Sequence, residues 1–87
     1  MARMRRVEFV LEMLDAAAAS VAGTFNNWDA GRNPLQKGKD GLWRGTIFVP
    51  KGRHEYRFVV DGQWMSDPKA AESVPNEHGS TNSVLEA

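Results

Sequence analysis

Two tryptophans stand where a folded core has little use for them. Trp28 belongs to the run Asn26–Asn27–Trp28–Asp29, which is dense in turn formers, and Trp64 follows closely on the Asp61–Gly62 pair. An indole held at a turn presents a flat, electron-rich face. That face complements the apolar, slightly positive surface that axial C–H bonds give a pyranose ring. The hydroxyls at the edge of such a ring call for planar or charged partners, and Arg57 and Asn82 supply a guanidinium and an amide. Taken alone, Trp28 and Trp64 fit edge packing as well as ligand stacking, because Trp, Asn and Arg meet by chance in many domains. Trp43 differs: it lies in an alternating run with Gly45 and Ile47 and reads as a core residue.

Other chemistries are poorly provided for. Glycoside hydrolysis needs two carboxylates held across a cleft. Asp29, Asp61 and Asp67 lie near the aromatics, but Asp61 is accounted for by a turn and Asp67 by its place before Pro68. No Ser-His-Asp order, HExxH helix or glycine-rich phosphate loop occurs. His54 and His78 lack metal-ligand spacing and there are no cysteines, so neither a metal site nor a disulfide is expected. No catalytic residue and no cofactor are assigned, and the chain reads as a non-enzyme.

Eleven basic residues balance eleven acidic ones. A nucleic-acid partner, which calls for a basic excess, is therefore not expected, and neither is an anionic membrane surface. Arg3, Arg5 and Arg6 read as a solvated terminus, with residues 1–4 flexible, rather than as a phosphate site. Glu8 and Glu12 interrupt the apolar residues that follow, so no signal-peptide core is formed, and no run approaches the ~20 apolar residues of a membrane span. A soluble cytoplasmic chain is expected, in keeping with the absence of cysteine.

The 87 residues suffice for one domain with a thin core. Val7, Phe9, Leu11 and Met13 alternate with Glu8, Val10, Glu12 and Leu14, which predicts a strand over residues 7–14 despite several good helix formers. Further strands are predicted over 20–23, 42–49, 54–60, 63–65 and 83–85. The polar run up to Gly41 reads as loop with Pro34–Leu35 pinned to the core edge, and residues 67–79 read as a second loop. Asp61–Gly62 is the strongest hairpin signal in the chain. Short strands separated by turns, with no convincing helix, predict an all-β sandwich.

Three segments carry a more specific resemblance. Gly23-Thr24-Phe25-Asn26-Asn27-Trp28 resembles the G-x-F-N-x-W segment of family 48 carbohydrate-binding modules. Tyr56-Arg57-Phe58-Val59-Val60-Asp61-Gly62-Gln63-Trp64, followed by Asp67-Pro68, resembles that family's Y-K-F-x-V-D-G-x-W-x-x-D-P segment. Gly79-Ser80-Thr81-Asn82-Ser83-Val84 resembles its closing strand. The segments stand in the family's order and separations, over about residues 5–86. The family includes the glycogen-binding domain of the AMP-activated protein kinase β subunit and the domains that precede the catalytic barrel in glycogen branching and debranching enzymes.

The resemblance implies an immunoglobulin-like, early-set antiparallel β-sandwich that occupies residues 1–87 as a single carbohydrate-binding domain. It implies non-catalytic binding of α-1,4-glucan (glycogen, starch or maltodextrin), with stacking by Trp28 and Trp64 and polar contacts from Arg57, Ser80 and Asn82. Two positions depart from the family pattern. Arg57 stands for the usual lysine, and His78 occupies the place of a leucine that projects into the glucan curve, where it can stack or donate instead. The alternative implied function is a docking or regulatory module like the kinase β subunit, partnered by a separate enzyme or kinase subunit, with weak or no glucan binding.

Overall fold

The computed structural model describes residues 3–87; Met1 and Ala2, within the 1–4 stretch expected to be flexible, lie outside the described residues. Eight strands follow in order: β1 (Met4–Glu12), β2 (Ala19–Gly23), β3 (Gln36–Lys37), β4 (Leu42–Pro50), β5 (Arg53–Val60), β6 (Gln63–Met65), β7 (Glu72–Pro75) and β8 (Thr81–Glu86). No helix forms among the described residues. The period of two in β1 explains why: it buries Phe9 and Leu11 and exposes Glu8 and Glu12, whereas a helix would scatter these residues around its circumference.

The strands make two antiparallel sheets, one ordered β1-β4-β3 and the other β2-β5-β8-β7 with β6 also on β5. This is the sandwich that the sequence predicts. Its core joins Phe9, Leu11 and Trp43 of one sheet to Val21, Tyr56, Phe58 and Val60 of the other. Phe9 and Tyr56 meet edge to face, with ring centroids 5.1 Å apart and an interplanar angle of 72°. Trp43 is 6% exposed, and its indole N–H donates to the Met13 carbonyl at 3.0 Å, so its core role stands. Leu35 is buried and pinned through its N–H to the Ala19 carbonyl at 2.8 Å.

Three segments differ from expectation. The polar runs around 36–37 and 72–75, expected as loops, contribute the short strands β3 and β7. Both are held by backbone pairing to one neighbour, which needs no apolar period. Arg5 and Arg6, expected in a loose terminus, are exposed strand residues paired with Val49 and Phe48.

One strand organises the second sheet. The β2 register occupies one edge of β5 over Tyr56–Val60. The other edge is divided, with β8 along Arg53–Tyr56 and β6 along Phe58–Val60. Arg57 falls at the seam between them.

Candidate functional site

The seam lies on the outer face of the second sheet, because Tyr56 and Phe58 point into the core and Glu55 and Arg57 point away. The β5–β8 register pairs Glu55 with Val84 and Tyr56 with Ser83, so its next step brings Asn82 alongside Arg57. Thr24 continues the β2 pairing by donating its N–H to the Glu55 carbonyl at 3.0 Å. These residues form the floor of an open groove of about 670 Å³, within the range of ligand-sized sites.

Trp28 closes one side of the groove by way of an unusual turn. Asn27 and Trp28 both have left-handed backbones, with φ of 61° and 59°, a conformation that disfavours a bulky residue. The turn is held by Asn26, which is buried. Its Oδ1 accepts from the Gly23 N–H at 2.9 Å, and its Nδ2 donates to the Val21 carbonyl at 3.0 Å and to Asn33 Oδ1 at 2.7 Å. The Trp28 N–H donates to the Gly23 carbonyl at 2.9 Å. Asn26 thus over-determines the strained conformation that brings the indole to the groove.

Trp64 lines the same groove from β6. Asp61 and Gly62 both have positive φ, 49° and 82°, as the expected two-residue hairpin requires. The Asp61 carboxylate secures the turn by accepting the N–H groups of Ala17 and Ala18. Trp64 remains 42% exposed, an uncommon state for so large an apolar ring.

Arg57 bridges the seam. Its Nη2 donates to the Trp64 carbonyl at 3.3 Å and to Ser80 Oγ at 3.1 Å. Ser80 therefore stands behind the guanidinium rather than lining the groove. Asn82 does line it, but its amide is engaged, with Nδ2 donating to Glu55 Oε1 and Oδ1 accepting from Asn76 Nδ2, both at 3.1 Å. Asn76 also shapes the closing loop, where its Oδ1 accepts the N–H groups of His78 at 2.9 Å and Ser80 at 3.1 Å. His78 lines the groove with an exposed ring, its Nε2 3.9 Å from Glu77 Oε1.

The groove thus gathers Trp28, Arg57, Trp64, His78 and Asn82, all singled out in the sequence, and adds Thr24, Glu55, Asn76 and Glu77, which were not. Asn26 and Asn76 look like ordinary turn asparagines; only their place just before Trp28 and the closing loop hinted at more. The nearby carboxylates have structural partners. Asp29 accepts the Gly31 N–H at 2.9 Å, and Asp67 accepts the Tyr56 hydroxyl at 2.6 Å and the Lys69 N–H at 2.9 Å. No group of three or more His, Asp or Glu able to hold a metal occurs among the described residues. Two indoles flanking hydrogen-bonding side chains on an open sheet face can stack on rings and read hydroxyls.

The fold and groove together define a small antiparallel β-sandwich with an open groove bordered by two tryptophans. Residues 8–87 match the family model described as the glycogen recognition site of AMP-activated protein kinase, and the chain belongs to that family. It is 33% identical over 66 residues to the pig 5'-AMP-activated protein kinase subunit beta-1, across 76% of this chain and 51% of the pig sequence. It is 35% identical over 65 residues to the human subunit beta-2, across 75% of this chain and 23% of that protein. The chain therefore spans about half of the pig sequence and about a quarter of the human one.

Proposed function

We propose that this chain binds α-1,4-linked glucan without catalysing any change in it. The observation that carries the reading is that Trp28 and Trp64, brought by separate turns, border one groove with Arg57 and Asn82 on its floor. Each indole stacks on a glucose ring, and Arg57 and Asn82 read the sugar edge. Ser80 acts by orienting Arg57. His78 supplies a stacking or donating ring from the closing loop. The family description, which names glycogen, supports the same ligand class.

A shallow, open site implies weak binding, on the order of micromolar to millimolar, with most of the energy in the two indoles. Calorimetry with β-cyclodextrin checks this, using circular dichroism to verify the fold of each variant. Trp28→Ala and Trp64→Ala are each expected to weaken binding by at least about tenfold; undiminished affinity in both sinks the site. Incubation with maltoheptaose is expected to release no new reducing ends.

A docking role for the remaining surface is the second reading, favoured because the matched relatives are named as subunits of a kinase. Retention on amylose resin, reversed by maltodextrin, separates the glucan reading from docking alone.

A further inference from the structure

Each sheet has edge strands, and most of them are blunted. The β2 edge is covered by the 33–35 segment, through Val21 N–H to the Asn33 carbonyl, Leu35 N–H to the Ala19 carbonyl, and the Ser20–Pro34 bridge. The strands β3 and β7 are short, and β7 ends in a proline. β1 is different: nine residues long, paired on one side with β4, and without a backbone partner on the other among the described residues. A long unpaired edge of this kind is a template for another strand.

The direction of its free groups follows from the ladder. The Lys51 N–H donates to the Arg3 carbonyl at 3.0 Å, so the odd-numbered residues of β1 point their N–H and C=O toward β4. Leu42 agrees, because its carbonyl points away from β1 to accept the Gly38 N–H at 2.8 Å. Met4, Arg6, Glu8 and Val10 therefore direct their backbone groups to the open edge, and their side chains stand on the outer face.

The side chains of that row are polarised, with Met4 and Arg6 toward one end and Glu8, Val10 and Glu12 toward the other. Arg6, Glu8 and Glu12 make no ion pair among the described residues, and Met4 is 53% exposed. An antiparallel copy of the same strand reverses this order. Only one register satisfies both chemistries: with the two-fold axis at Val7, Arg6 lies opposite Glu8 of the second copy and Met4 opposite its Val10, each pairing occurring twice. A shift of one residue along each strand sets Glu8 against Glu8 in one direction and Arg6 against Arg6 in the other, and the larger shift that sets Arg6 against Glu12 leaves Glu8 against Val10. Opposite charges directly across a ladder favour pairing and like charges oppose it.

We infer that β1 is a self-association edge, at which two copies of this chain pair β1 to β1 about Val7 and join their three-stranded sheets into one. The contact is small and reversible. It leaves the groove on the other sheet free, so the inference is independent of the glucan reading.

Sedimentation equilibrium of the full chain, from about 20 μM to 1 mM, tests it. The weight-average mass is expected to rise from 9.7 kDa toward twice that value. Arg6→Glu and Glu8→Arg, each checked for fold by circular dichroism, are expected to weaken association by about tenfold or more, since each places like charges opposite at two positions. An equimolar mixture of the two variants is expected to recover it, because in this register each altered charge faces its opposite on the other variant at both positions. Glu12→Arg is expected to be silent. A constant 9.7 kDa for the unaltered chain overturns the inference, and so does failure of the two folded variants to associate when mixed.

Discussion

Asn26 shows how much of the groove depends on a side chain that no ligand need touch. It is buried, accepts one bond and donates two, and all three hold the left-handed turn at Asn27 and Trp28. Replacing it by alanine leaves the Gly23 N–H and the Val21 carbonyl without partners, each a loss of roughly 1–3 kcal/mol if it stays buried. Asn26→Ala is therefore expected to lower unfolding stability by about 2–4 kcal/mol in urea titrations and to abolish cyclodextrin binding even where the fold survives. A variant that keeps normal affinity would show that Trp28 finds its place without the turn. Trp28 and Trp64 were legible because an aromatic beside turn formers is out of place in a core. Asn26 and Asn76 were not, since an asparagine that caps a turn and one that organises a site look the same in sequence. Glu55 and Thr24 were hidden for another reason: only the β2–β5 pairing sets them beside the groove.

At the level of elements, the divided edge of β5 must be held together across the gap between β6 and β8. Tyr56 does part of this by donating its hydroxyl to Asp67, on the link leaving β6, while the Asp67 N–H donates to Ser83 Oγ of β8 at 2.8 Å. Burial first, and then the bond to Asp67, raise the pKa of the Tyr56 phenol well above the ordinary value of 10.0. A pKa raised in the folded state means that the unfolded chain loses this proton first as the pH rises. The stabilisation is present in full below about pH 10 and is lost progressively above it. Tyr56→Phe is expected to cost about 1–2 kcal/mol at pH 7 and to flatten the decline in stability between about pH 9.5 and 11, read from urea midpoints at each pH. An equally steep decline in the variant would place the alkaline sensitivity elsewhere. The principal strands were legible from alternation, and the Asp61–Gly62 hairpin from its turn chemistry. The short edge strands β3 and β7 were not, because they are held by backbone pairing on one side and bury little.

For the molecule as a whole, the two-sheet sandwich followed from the spacing of strands and turns, whereas the pairing of β8 with the part of the β5 edge that β6 leaves open is long-range, and no local pattern encodes it. A chain of 87 residues has a thin core, so a ligand held in the groove would add visibly to its stability. At ten times the dissociation constant, maltodextrin is expected to add ~1.4 kcal/mol, a rise in melting temperature of about 6–11 °C by scanning calorimetry. Cello-oligosaccharide at the same concentration is expected to leave it unchanged, and an equal rise with both would remove the linkage specificity. The placement of the tryptophans has an optical consequence. Trp43 is sealed between the sheets with its indole N–H bonded, while Trp28 and Trp64 flank the open groove. The chain thus carries two classes of emitter of its own: a quencher in solution reaches the groove pair and spares Trp43, a bound glucan shields the pair, and only unfolding opens the third. Occupancy and folding can be followed in one cuvette without a label.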